Sequence, residues 1–198
     1  MADIYIIAGP PGIGKSTRGD EFIDPDLEIL NEDEMRFKYK AQGYADYNEY
    51  SIHRVRNTIR QKLIRNENFA LELNLGYEHQ WEYILSVKNF NPENRLHIIL
   101  FFTDDVKLCL IRAKERHANG RHLVKPSIIK EMYINTIRLL KNNFDRVDEL
   151  ILLDSDNETG LSLIANYDKQ RNDLTILSEN GAWFKNDIKP FIQNKLTR

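Results

Sequence analysis

One nonapeptide near the N-terminus constrains this chain more than any other feature. The run Gly9-Pro10-Pro11-Gly12-Ile13-Gly14-Lys15-Ser16-Thr17 matches the phosphate-binding pattern GxxxxGK[ST] without a gap. It follows Ile4-Tyr5-Ile6-Ile7-Ala8, a β-branched and aromatic run suited to a buried strand, and it precedes a segment able to continue as a helix. Strand, loop and helix in that order are the context the pattern requires. Glycines at these positions let consecutive backbone N–H groups turn inward around a phosphate chain, and the helix start adds partial positive charge. Lys15 is then expected to reach the β- and γ-phosphates of ATP, and the Ser16 hydroxyl to take a place on Mg²⁺.

Downstream, apolar runs alternate with helical patterns, the signature of a parallel sheet built from strand–helix–strand units. Strands are expected at 27–30, 69–73, 97–102 and 149–153. Helices are expected from about Glu32, over 48–66, around 81–88, from a cap at Thr103 or Asp104 to about His117, and from Pro126 to about Phe144. Beyond residue 156 the period changes to two short strands, 161–167 and 174–177, and an amphipathic tail helix near 183–195. The expected architecture is a three-layer α/β fold, with a mainly parallel five-stranded sheet, a C-terminal hairpin and a helix. With 198 residues, one domain over 1–198 is expected.

Composition narrows the function classes. There are 28 basic and 30 acidic residues, a formal net charge of −2, so no global attraction draws the chain to nucleic acid or an anionic membrane. No apolar run is long enough to span a bilayer, and no secretory signal pattern opens the chain, so a cytoplasmic protein is expected. The one cysteine, Cys109, lies in an apolar stretch and reads as core, and the five histidines show no zinc-ligand spacing. The basic face Arg54, Arg56, Arg60, Lys62 and Arg65 reads as solvated helix, because no aromatic residues are interleaved with it.

Ligands of open α/β sheets gather at the carboxyl ends of strands, and polar residues there are the candidates for chemistry. Asp33 lies just past the second strand, where a carboxylate can orient a substrate hydroxyl and accept its proton; three acids at a helix start also complement its dipole, so position leaves both readings open. Glu72 ends an apolar strand and there needs a metal, a cation or a hydrogen-bonding ligand. Arg112 and Arg116 share one helix face, suited either to closing over phosphates or to an exposed pairing with Glu115. Asp104 and Asp154 each follow an apolar strand, and either position suits a Walker-B-like aspartate. No NKxD sequence for guanine selection follows the loop.

Taken together, residues 4–155 resemble the zeta-toxin family of P-loop kinases. The resemblance is carried by Leu30-Asn31-Glu32-Asp33, by Phe69-Ala70-Leu71-Glu72-Leu73-Asn74-Leu75, and by Arg112-Ala113-Lys114-Glu115-Arg116 followed by Gly120, His122, Val124 and Pro126. It implies a sheet order 2-3-1-4-5 and an ATP- and Mg²⁺-dependent phosphotransferase. In that reading Lys15 and Ser16 handle phosphate and metal, and Asp33 acts on the acceptor hydroxyl. Glu72 holds substrate or metal, Asn74 lines the acceptor site, and Arg112 with Arg116 grips the phosphates. The implied acceptor is a UDP-sugar, UDP-N-acetylglucosamine, and the implied partner a separate antitoxin. The chain departs from the family at Leu73 and Asn74, where threonines are common, at Arg121 in a glycine pair, and at Met132 in place of an arginine. A kinase of another metabolite or of a nucleic-acid end, and a non-catalytic ATP-binding regulatory module, are the alternatives.

Overall fold

A computed structural model describes residues 1–119, 121, 123–156 and 160–197. Gly120 and His122 of the resemblance lie outside the described residues. Chain order runs β1 (Asp3–Ala8), α1 (Lys15–Arg18), β2 (Ile29–Leu30), α2 (Glu32–Ala41), α3 (Tyr47–Arg65), β3 (Phe69–Glu72), α4 (Glu78–Lys88), β4 (Arg95–Phe102), α5 (Val106–Ala118), α6 (Pro126–Asn143), β5 (Glu149–Asp156), β6 (Gly160–Asp168), β7 (Asp173–Ile176) and α7 (Lys189–Leu196). No helix among the described residues is long and apolar enough to cross a membrane.

The sheet order is β2-β3-β1-β4-β5-β6-β7. Its first five strands pair in parallel in the expected order, but the sheet has seven strands rather than five. The C-terminal hairpin joins it antiparallel on β5, with Glu149 opposite Asp168 and Asp156 opposite Gly160. The cause is an edge: β5 runs to Asp156, past the expected end at Leu153, and its unpaired N–H and C=O groups demand a partner. β6 supplies one and β7 covers β6 in turn.

Other boundaries shift for local reasons. β2 starts at Ile29 rather than Leu27, because a turn closed by Leu27 N–H to the Asp24 carbonyl (2.9 Å) occupies the preceding residues. The cap of α5 is Asp105, whose carboxylate accepts from Lys107 N–H at 2.8 Å, rather than Thr103 or Asp104. The tail helix is continuous over residues 182–196, as expected, but winds as a π-type turn over Phe184–Ile188 before α7, because Pro190 has no N–H to continue the α ladder.

β4 is buried along seven of its eight residues, as a strand covered on both faces must be. One face packs Ile4, Ile6, Ile98, Leu100 and Leu152 against α3, α4, α6 and the tail. The other packs Ile7, Ile99, Phe101 and Leu153 against Ile13 of the phosphate loop, Cys109 of α5 and Ile129 of α6. Cys109 is buried, and burial pushes its thiol up to about 11, as a core cysteine requires.

At the opposite end of the sheet, His97 is buried between two carboxylates, with Nδ1 2.8 Å from Glu149 Oε2 and Nε2 3.0 Å from Asp3 Oδ1, and it stacks on Tyr5. The hydrogen bond from His97 holds the Glu149 carboxyl below its ordinary value of 4.5. A carboxyl lowered by folding adds stability above its ordinary value and loses it as pH falls through the folded value. In urea melts between pH 3 and 6, Glu149→Gln is therefore expected to lose less stability on acidification than the native chain; equal slopes would reject this linkage.

Candidate phosphate and acceptor site

β1 ends at Ala8 in the buried sheet, and the loop 9–14 turns the chain back into α1. Gly12 shows why the pattern needs glycine: its φ is +84°, and a Cβ there would stand 2.2 Å from the Cys109 carbonyl oxygen of α5. The helix behind the loop is a single turn of four residues and runs into a 3₁₀ turn over Gly19–Phe22.

Lys15 is only 6% exposed. Its ammonium donates to the Gly9 carbonyl at 2.7 Å, the Pro10 carbonyl at 3.2 Å and Asn74 Oδ1 at 2.9 Å. Burial, opposed by the nearby Glu72 carboxylate, lowers its pKa to about 8. Next to it Ser16 Oγ donates to Glu72 Oε1 at 2.7 Å. Lys15, Ser16, Glu72 and Asn74 thus meet because β1 and β3 are parallel neighbours, with Ile7 in register with Glu72. The partner of Glu72 is a hydroxyl, and no ion pair to it occurs among the described residues. No group of three His, Cys, Asp or Glu side chains able to hold a metal occurs among them either. The Ser16 hydroxyl and Glu72 carboxylate are nevertheless hard oxygen donors side by side, a set that fits Mg²⁺ completed by phosphate oxygens and water.

α5 projects Arg112 and Arg116 toward the loop. Arg112 Nη1 donates to the Ile13 carbonyl and to Ser155 Oγ, each at 3.1 Å. Neither arginine pairs with Glu115 among the described residues. Both line a cleft of about 440 Å³ with Gly12, Gly14, Lys15, Ser16, Thr17 and Glu72. On the other side of Arg112, Thr17, Arg18, Ser155 and Leu161 border a smaller cavity of about 270 Å³.

Asp33 does not line the cleft around the loop. It sits half-exposed in the first turn of α2, paired with Arg36 Nη1 at 2.6 Å. It faces a larger adjoining cavity of about 690 Å³ with Phe37, Lys40 and Tyr47, and Arg116 and Arg121 belong to the walls of both spaces. Arg121 lies over the Phe37 ring at 4.7 Å and 3.8 Å from Glu34. Met132 is buried with its Cβ 2.6 Å from where a Gly76 side chain would begin, so it packs under the 72–76 turn. Asn31, quoted in the resemblance without a role, lines the loop cleft; sequence reasoning missed Glu34, Arg36, Lys40 and Ser155 as lining residues, since only the placement of α2 and β5 beside the loop brings them there. Arg121, noted only as a departure from a glycine pair, lines both spaces.

No protein-family model matches the chain, and no curated protein does. Solved structures do. The complex of AvrRxo1-ORF1 with AvrRxo1-ORF2, solved with ATP, superposes with a TM-score of 0.71 at 9% identity over 94% of this chain. This chain spans 63% of that one. The PezAT chromosomal toxin–antitoxin system of Streptococcus pneumoniae gives 0.58 at 13% identity, covering 100% of this chain and 87% of that one. The Pnkp1/Rnl/Hen1 RNA repair complex gives 0.57 at 18% identity, over 74% and 47%. Together with the sheet order and the loop, these likenesses define the α/β fold of the P-loop kinases. The PezAT toxin–antitoxin structure shares that fold with the whole of this chain.

Proposed function

We propose that the chain is an ATP- and Mg²⁺-dependent phosphotransferase that moves the γ-phosphate to a hydroxyl of a small acceptor, with UDP-N-acetylglucosamine as first candidate. The observation that carries this reading is the pair of adjoining spaces, one built on the phosphate loop and one beside Asp33, which share Arg116 and Arg121 as wall. The larger space carries Arg36, Lys40, Arg116 and Arg121 against Asp33, with the rings of Phe37 and Tyr47, a lining suited to an acceptor that has its own phosphates and a planar base.

In this mechanism the loop N–H groups and Lys15 hold the β- and γ-phosphates. Ser16 and Glu72 would hold Mg²⁺, which would neutralise phosphate charge when bound. The adenine base would occupy the smaller space beyond Arg112, bordered by Arg18 and Leu161. The acceptor oxygen attacks the γ-phosphorus, its proton passes to the Asp33 carboxylate, and the bond to the β-phosphate oxygen breaks to release ADP. Arg116, on the shared wall, meets the charge that develops between the two substrates. A separate antitoxin-type protein as partner belongs to the same proposal, supported by the likeness to a toxin–antitoxin system.

The test is to incubate the purified protein with ATP, Mg²⁺ and UDP-N-acetylglucosamine and look by mass spectrometry for a singly phosphorylated sugar nucleotide. A product from a metabolite pool alone would keep the kinase and retire this acceptor; ATP binding without any product would favour the regulatory module. Loss of a general base costs about 10²-fold or more, so Asp33→Asn is expected to lower kcat by that factor with little change in ATP affinity. Glu32→Gln should be mild, and equal effects of the two would return Asp33 to a helix-dipole role.

A further inference from the structure

Asp104 and Asp154, each placed after an apolar strand, line none of the three spaces described above. Both are committed to the tail. The Asp104 carboxylate accepts from the backbone N–H groups of Ala182 and Trp183, the latter at 2.8 Å. Asp154, 7% exposed, accepts at Oδ1 from the indole Nε1–H of Trp183 at 2.8 Å. Gly181 is built for this approach: its φ is +80°, and a Cβ would stand 2.7 Å from the indole nitrogen and 3.1 Å from Asp154 Oδ1. The Trp183 ring also packs edge-on against Phe102 at the end of β4.

Successive side chains of a strand point to opposite faces, so the residue after Asp154 points away from the tail. That residue is Ser155, which is buried. Its Oγ accepts from Arg112 Nη1 at 3.1 Å and donates to the Ile13 carbonyl at 3.4 Å, while Arg112 Nη1 donates to the same carbonyl at 3.1 Å. The end of β5 therefore sits between two attachments, the tail on one face and the phosphate loop on the other. A register shift between Leu152 and Leu153 interrupts the ladder to β6, which resumes from Leu153 to Asp156, so these two attachments add to β-pairing in holding the strand end.

We propose that Trp183 is a positioning residue for the phosphate loop: its indole N–H fixes Asp154, Asp154 fixes Ser155, and Ser155 with Arg112 fixes the Ile13 carbonyl and the curve of the loop. Only the nucleotide half of the test rests on the proposed function.

Trp183→Phe keeps a ring and removes the donor. In the full-length protein without nucleotide, hydrogen–deuterium exchange over residues 9–17 is expected to speed up. Mg-ATP affinity measured by calorimetry should fall roughly five- to tenfold, the size of one lost buried hydrogen bond. Ser155→Ala should match it, and the double variant should be no worse than either single change. Asp154→Asn retains an acceptor oxygen and is expected to preserve loop exchange. Ile192→Ala, buried in α7 and remote from these contacts, should lower the melting temperature without changing exchange at 9–17. Gly181→Ala, which crowds the indole off Asp154, replaces Trp183→Phe should that variant not fold. Unchanged exchange over 9–17 in Trp183→Phe or Gly181→Ala, or losses that multiply in the double variant, would overturn the proposal. Faster exchange in a protein that binds no Mg-ATP would keep the positioning role and remove the kinase.

Discussion

Lys15→Met is expected to abolish phosphoryl transfer without unfolding the protein. The side chain is buried at the loop with its ammonium on two loop carbonyls and Asn74, so methionine fills similar volume but presents no charge to a phosphate. A second readout separates this from general damage. The folded pKa of Lys15, about 8, lies below the ordinary lysine value of 10.5. Below pH 8 the ammonium is charged in both states and burial costs stability in full. Between 8 and 10.5 the unfolded chain holds a proton that the folded chain has released, so stability rises with pH. Urea melts of the native protein should show this rise, and Lys15→Met should lack it. Triphosphate binding restores the charge, so ATP binding near pH 9 should take up a proton, measurable by calorimetry in buffers of different ionisation enthalpy. Turnover near the native level would reject the loop as the catalytic site, and identical pH slopes would reject the buried-ammonium account.

Gly12→Ala is expected to have the next largest effect, through the backbone rather than through charge. A left-handed non-glycine residue costs about 1–2 kcal/mol, and here the added methyl also meets a helix carbonyl that cannot rotate away. The Cβ would lie 2.2 Å from the Cys109 oxygen and 3.2 Å from Ala113 N, so either the loop or α5 must move. Because α5 carries Arg112 and Arg116, its displacement moves the cleft's cations together with the loop. A combined penalty on the order of 3 kcal/mol corresponds to a loss of ATP affinity of about 10²-fold. Calorimetry and a thermal melt measure the two parts. ATP affinity within a factor of two of native would show that the loop tolerates the methyl and that its shape is not set by this contact.

The loop was legible because its signal is local: a phosphate cradle needs glycines, a lysine and a hydroxyl at fixed spacing, and chain connectivity delivers them together. The parallel strand order 2-3-1-4-5 was legible through resemblance, and the strong apolar runs marked β1, β3, β4 and β5. Asp104 and Asp154 illustrate the opposite case. A carboxylate after an apolar strand reads identically whether it faces a metal or the N–H groups of Trp183, which lies 79 and 29 residues away respectively. The seven-stranded sheet was hidden for a related reason, since a two-strand hairpin has the same pattern alone or docked on an edge, and only the unpaired groups of β5 decide.

By itself the sequence determined that the chain carries a phosphate loop behind a buried strand, that parallel strand–helix units surround it, and that Lys15, Ser16, Asp33, Glu72, Asn74, Arg112 and Arg116 are its candidates for chemistry. Tertiary structure alone decided how these residues divide. Register between β1 and β3 joins Lys15 to Asn74 and Ser16 to Glu72. The packing of α2 on α3, with α5 across the cavity, puts Asp33 in a separate, cation-lined space with Arg116 on the wall shared by the two. Spacing along a helix or strand fixes which residues share a face. Which two faces enclose a cavity depends on how the elements pack across the sheet, a property of contacts between residues far apart in the chain.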